Sequence, residues 1–414
     1  MERRKNILLL FLPLLALALM ARADQQTGKT QPAQQKPAPS GGNAPVMAAS
    51  RNAPQFAFGG NVAEVPATFV QNLIFLPVKL GDSEPSLFVL DTSASVTSIA
   101  PGWAKELGFP PNARASIVLP GVMFPFESLP AVARNDFASY AGRPSDGTIG
   151  ADVLSRSVVV IDYARETVRI YDPGSYKYAG HGGVFPLSFS NKMPVIRAKM
   201  ATPKGKQVEG DFAINSSLIA GIVVSEKFSE AHHVFPHKGK FTVAYDPQLA
   251  GGENVSLFRL RYLKVAGSAA EDTIAELSSS KLAGTGDPRL VGVLGAGFLR
   301  RFNIVLDYPH KRIIFDVNTH FHDYDEEDKS GIAVVAKGSG LKTFEVVHVV
   351  PGSPAAQVGI KAGDVIAGIN DEAAADMSLD AIRDLFRRVG YKYKVTIQRG
   401  DQTKEVTVAT ERLL

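Results

Sequence analysis

The 414-residue chain contains no cysteine and a single tryptophan. The missing cysteine excludes together a disulfide scaffold, a lipid-modified N-terminal Cys, thiolate zinc sites and a cysteine nucleophile, so stability must come from buried cores. Charge of one sign is also lacking. The formal net charge is +4, of which Arg3, Arg4, Lys5 and Arg22 against Glu2 place +3 in the first 23 residues, leaving about +1 for the rest. A nearly neutral chain without a basic stripe has no electrostatic footprint for nucleic acid or an anionic membrane surface. Long hydrophobic runs are absent beyond the N-terminus, so no later segment is expected to cross a bilayer. With 45% hydrophobic and 21% charged residues, the composition fits neither a wholly disordered chain nor a coiled coil. At roughly 100–200 residues per domain, the length predicts two or three globular units.

The N-terminus has the layout of a secretory signal: basic Arg3-Arg4-Lys5, an apolar run from Ile7 to Met20, and Ala21-Arg22-Ala23 as a small-residue cleavage site. A membrane anchor is the alternative, but the run is short for a span. The expectation is a signal peptide over 1–23 and a periplasmic or secreted protein. Residues 24–64, rich in Gln, Pro, Ala, Gly and Ser, read as a disordered linker.

Beyond the linker the texture changes to short β-type runs separated by turn residues, such as Ile74-Phe75-Leu76-Pro77-Val78-Lys79-Leu80 and Ser157-Val158-Val159-Val160-Ile161. An internal repeat underlies them. Its clearer anchor aligns, without a gap, the stretch from Ile149-Gly150-Ala151-Asp152 to Asp162-Tyr163 with that from Leu294-Gly295-Ala296-Gly297 to Asp307-Tyr308. A weaker anchor sets Phe88-Val89-Leu90-Asp91-Thr92-Ser93 against Phe212-Ala213-Ile214-Asn215-Ser216-Ser217. In each copy a short helix follows, opened by Pro101 and closed by Gly108 in the first, opened by Ser225 in the second. The pattern predicts two lobes, 65–174 and 175–318, each built as strand, polar turn, strand, helix, further strands, and an apolar-apolar-Gly turn. An acidic linker, 319–329, and a last unit, 330–414, complete the chain.

Two turns that each deliver an acidic residue to a pseudo-two-fold axis are a means of bringing two carboxyls together, and at close range both cannot ionise. One then acts as general base toward water while the other protonates the scissile carbonyl. Phe88-Val89-Leu90-Asp91-Thr92-Ser93-Ala94-Ser95 together with Ile149-Gly150-Ala151-Asp152-Val153-Leu154, and Leu294-Gly295-Ala296-Gly297-Phe298-Leu299 in the second copy, resemble the aspartic proteases of the pepsin and retropepsin type. The resemblance implies a mainly β, two-lobed aspartic-protease-like β-barrel domain. It also implies a site made of Asp91, Thr92 and Ser93 with Asn215 and Ser216, the Thr92 and Ser216 hydroxyls bonding across the lobes. The family's Asp-Thr-Gly pattern is broken in both copies. Asn215 donates a hydrogen bond but relays no proton, and Ser93 and Ser217 add bulk where the family has glycine.

Val350-Pro351-Gly352-Ser353-Pro354-Ala355-Ala356-Gln357-Val358-Gly359-Ile360-Lys361-Ala362-Gly363-Asp364 resembles the PDZ domains of bacterial periplasmic proteases. Local chemistry agrees: a Pro-Gly turn, one helical turn closed by Gly359, a helix capped by Ser378 with Leu379, Ile382, Leu385 and Phe386 on one face, and a hairpin turning at Gly400-Asp401. The resemblance implies capture of an extended polypeptide or a protein C-terminus by strand addition, with Ser330, Gly331, Ile332 and Ala333 as the carboxylate-binding loop. His320, His322 and Asp323, and His232, His233 and His237, lack the spacing of a metal motif and read as solvated histidines. No metal and no other cofactor is expected. The favoured function is an exported peptide- or protein-binding protein with a weak or lost dyad. The alternatives are an aspartic endopeptidase using Asp91 as general base and a cell-envelope scaffold working through its PDZ domain.

Overall fold

The structure is a computed structural model that describes residues 52–134, 137–249, 252–279, 287 and 289–414. The signal-like segment and most of the expected linker lie outside these residues. Among the described residues no helix is long and apolar enough to cross a membrane.

The fold is mainly β, in two lobes followed by a smaller C-terminal unit. In the first lobe, Ser86–Leu90 runs parallel to Gly147–Ile149, with Leu90 opposite Ile149. The second lobe repeats this arrangement, Gln207–Asn215 running parallel to Leu290–Gly295 with Asn215 opposite Gly295. Each parallel pair leaves its polar turn at the mouth of the sheet. The glycine of each apolar-apolar-Gly turn is required by close approach. A Cβ on Gly150 would lie 2.6 Å from the Val96 backbone, and one on Gly295 would lie 2.1 Å from the Ala220 carbonyl oxygen.

Helices are short. The first lobe holds α1 (Pro101–Glu106), α2 (Phe137–Ala141) and α3 (Ala151–Leu154), and the second α4 (Glu226–His232) and α5 (Ala296–Leu299). Ser225 precedes α4 as expected, and His233 ends it in the left-handed conformation.

A six-stranded sheet joins the lobes, with the two copies of the clearer repeat at its centre. Val159, Val160 and Ile161 pair antiparallel with Leu306, Val305 and Ile304. Asp162 and Asp307 close the turns at the strand ends, Asp162 accepting from the Arg165 amide and Asp307 from Arg312 Nε at 2.6 Å.

The edge of this sheet corrects the linker boundary. Val62–Pro66 is a strand paired to Thr167–Tyr171, and Gln55–Phe56 pairs with the strand Val122–Leu129, so ordered structure begins upstream of residue 65. Ala63 and Val65 alternate inward along it and are fully buried. Burying a valine contributes roughly 1.5–3 kcal/mol, enough to dock a strand too short to alter the composition of its segment.

The acidic stretch 319–329 is likewise a packed clasp. Buried Arg301 donates to the carbonyls of Phe321 and Asp323 and to Asp325 Oδ1, and Arg259 reaches Glu327 at 3.3 Å while stacking on Tyr324. Lys329 is buried against Glu326. An acidic stretch reads as a linker until the arginines that bind it, distant in sequence for Arg259, are known.

The C-terminal unit is a sheet in the order Ile332–Lys337, Thr343–Val349, Val365–Ile369, Lys392–Arg399, Gln402–Ala409, with Glu372–Ala373 beside the third strand. Two helices flank it, α6 (Pro354–Gln357) and α7 (Leu379–Arg387), capped by the Ser353 and Ser378 side chains. Leu379, Ile382 and Phe386 face its core, as their spacing predicts.

Candidate functional site

The two polar turns meet across the lobes in a reciprocal lattice. The Thr92 hydroxyl donates to the Ile214 carbonyl at 2.7 Å and accepts from the Ser216 amide at 3.0 Å. The Ser216 hydroxyl donates to the Leu90 carbonyl at 2.7 Å and accepts from the Thr92 amide at 3.0 Å. These four bonds bring Asp91 and Asn215, both buried, to the same junction. Ser93 and Ser217 turn their added side chains to use. The amide and hydroxyl of Ser93 both donate to Asp91 Oδ1, at 2.8 and 2.6 Å, and those of Ser217 to Asn215 Oδ1, at 2.9 and 3.0 Å.

The other Asp91 oxygen is held by a residue that the sequence did not single out. Arg134, between the strand ending at Leu129 and α2, donates from Nη1 to Asp91 Oδ2 at 2.7 Å and to the Thr148 hydroxyl at 3.2 Å. Its Nη2 approaches the Ser217 hydroxyl at 3.4 Å, and the guanidinium lies 4.3 Å from the ring centre of Phe137. Both oxygens of Asp91 are therefore occupied by the chain itself. Gln248 braces the second turn, accepting from the Ile219 amide and donating to the Ser217 carbonyl. It also meets the Tyr140 phenol, which burial pushes up and Arg134 pulls down.

The loop expected to capture a carboxylate is filled in a comparable way. The amides of Ser330, Gly331 and Ile332 donate to Asp328 Oδ1 at 2.9, 2.6 and 3.2 Å, and the Ser330 hydroxyl donates to the same oxygen at 2.8 Å. Burial raises the Asp328 carboxyl, and these bonds work against that rise. Ala333 follows in the edge strand Ile332–Lys337. Beside it Arg383 of α7 donates to the Val334 carbonyl and to the Tyr140 carbonyl, each at 2.8 Å, and to the Gln71 side chain. α2 packs against this strand, and Gly142 abuts Leu379 so closely that a Cβ would lie 2.9 Å from the leucine side chain.

The histidines do not gather: His320 bonds Asp323 at 2.9 Å, and among the described residues there is no metal-binding group of three or more such side chains. Arg134 and Arg383 carry no local signal, because each acts on a partner far away in the chain. Asp328 had one, since Asp-Lys-Ser-Gly is turn chemistry in which an Asp side chain caps the amides after it.

Residues 319–398 match the family model described as PDZ domain. No curated protein matches the chain. Among solved structures, the photosystem II D1 C-terminal processing protease is similar at 23% identity and a TM-score of 0.20, over 21% of this chain and 23% of that one. An aspartic proteinase from Irpex lacteus is similar at 13% identity and a TM-score of 0.40, over 63% of this chain and 99% of its own. The chain thus spans under a quarter of the first of these proteins. The C-terminal unit is a PDZ domain.

Proposed function

We propose that this chain is an exported peptide- or protein-binding protein built on an aspartic-protease-like frame, with its hydrolytic dyad weak or lost. The observation that carries the reading is the Arg134–Asp91 ion pair at a junction whose second position is Asn215. A shared-proton pair needs two carboxyls, and a general base needs a free oxygen for water. Asn215 removes the first condition and Arg134, with Ser93, removes the second. An extended polypeptide would lie in the groove between the lobes, and the PDZ domain would take a chain terminus or an extended segment once Asp328 and α2 give way.

The second reading, an endopeptidase using Asp91 as general base, draws support from the four cross-lobe bonds. They hold Asp91 in place even though its partner is an amide.

The test is incubation of the chain from Asp24 onward with unfolded casein between pH 3 and 8, scored by mass spectrometry. Beside it stand Asp91→Ala, Asn215→Asp and the double variant Arg134→Met/Asn215→Asp. The expected result is no cleavage by the parent and cleavage by the double variant, because only that variant has two carboxyls and an uncovered Asp91. Cleavage by the parent that disappears in Asp91→Ala would overturn the binding reading.

A further inference from the structure

A cavity of about 690 Å³ lies between the second lobe and the PDZ domain, bounded by Thr242–Asp246, Ile332–Lys337 and α7. Its size is within the roughly 300–1,000 Å³ of small-ligand sites. Both bounding strands are terminal in their sheets, so each has one edge that pairs with no further strand of its sheet.

Two carboxyls in the cavity wall, Asp246 and Glu276, lie against each other. Asp246 is 7% exposed, and its Oδ1 accepts from the Gln248 amide at 2.8 Å. Asp246 Oδ2 and Glu276 Oε2 meet no donor from the other described residues, and the two carboxyls hydrogen-bond each other, which takes a proton on one of them. Burial pushes both carboxyls up, Glu276 further, and each is raised by acidic neighbours that include Glu253. Several other charged groups along the wall have partners elsewhere, whereas the buried His348 Nε2 has none among the described residues. Arg300 and His320 hold Asp323, Arg387 holds Asp384, and Asp325 and Glu327 serve Arg301 and Arg259. Arg383 faces Asp246 at longer range, but its donors go to Gln71, Tyr140 and Val334.

One shared proton compensates the pair at rest, and a cation entering the cavity would take its place. We propose that this cavity is a subsite for a lysine side chain of a bound polypeptide, with Asp246 and Glu276 as its counter-charges. An ammonium has three donors on a slender stem, enough to serve both oxygens. The flanking strand edges make an extended chain, not a free amine, the fitting bearer of that group. Gln248 connects the subsite to the Ser217–Ile219 turn, so a lysine seated here places its backbone beside the groove floor. The inference rests on the polypeptide-binding reading and names the side chain that is read.

The test uses the chain from Asp24 onward with two fluorescein-labelled random dodecapeptide pools, one with a fixed central lysine and one with glutamine there. A charge-assisted hydrogen bond contributes about 1.5–3 kcal/mol, so the lysine pool should bind about tenfold tighter or more. In Asp246→Asn/Glu276→Gln the ratio should fall to near one. Equal binding of both pools by the parent overturns the inference and leaves peptide binding standing. Thermal stabilisation by butylammonium chloride beyond that by sodium chloride, lost in the double variant, reads the same site without a peptide. If neither pool binds but butylammonium does, the peptide reading fails and the cation site remains. If neither probe acts, both fail.

Discussion

Thr92 shows at the scale of one residue how the junction is held. Its hydroxyl serves the Ile214 carbonyl and the Ser216 amide at once, and it is 1% exposed, so water cannot replace it. Thr92→Val keeps the shape and orphans both groups. At about 1–3 kcal/mol for each unsatisfied buried group, the variant should lose roughly 2–6 kcal/mol, read as a lower denaturant midpoint at unchanged slope. A loss below about 0.5 kcal/mol would mean that the lobes are held together by apolar packing alone. The hydroxyls of this lattice were legible in the sequence because the resemblance to aspartic proteases implies cross-lobe bonding by Thr92 and Ser216. The partner of Asp91 was not, since nothing local to Arg134 marks it out. The serines after Asp91 and Asn215 read as bulk, but their hydroxyls replace that bulk problem with two further bonds.

α2 is the element through which the two candidate sites touch. Its first residue, Phe137, lies under the Arg134 guanidinium, while its Tyr140 carbonyl is tied by Arg383 to the edge strand of the PDZ domain. A five-residue helix is far too short to be stable alone, so its position depends on these contacts. Arg383→Ala removes one end of the link. The expected outcome is faster amide exchange over 137–142 and, in the same variant, increased carbodiimide labelling of Asp91, because Arg134 loses the ring it rests on. Faster exchange with Asp91 labelled as in the parent would show that the two ends move independently. Helices α1, α4, α6 and α7 were readable from caps, turn residues and spacing, whereas α2 was not. The edge strand Val62–Pro66 was not, because two small apolar residues do not change the composition of a segment dominated by Gln, Pro and Gly.

For the whole molecule, the sequence revealed the two copies and the PDZ unit but not how closely they pack. Local periodicity reports which face of an element is buried, and it is silent on what buries it. Burial between the second lobe and the PDZ domain sets Asp246 and Glu276 against each other, and this has a consequence for stability against pH. Both carboxyls bind their protons more tightly in the folded chain than in the unfolded one, so below the ordinary carboxylate range, near pH 4, the pair contributes its full stabilisation. That contribution is lost as pH rises through the pair's folded titration. Asp364 acts in the other direction: burial would raise it, but its bonds to Arg399 outweigh that and hold it low, so its contribution is lost only as pH falls below the carboxylate range. The two windows are therefore separate. Melting temperatures of the parent should decline from pH 4.5 upward relative to Asp246→Asn/Glu276→Gln, whose amides do not titrate, with Glu253 and Arg383 common to both proteins. A constant difference between the two melting curves across that range would mean that the pair takes up no extra proton on folding, and the cavity wall would then have to draw its compensating charge from Arg383.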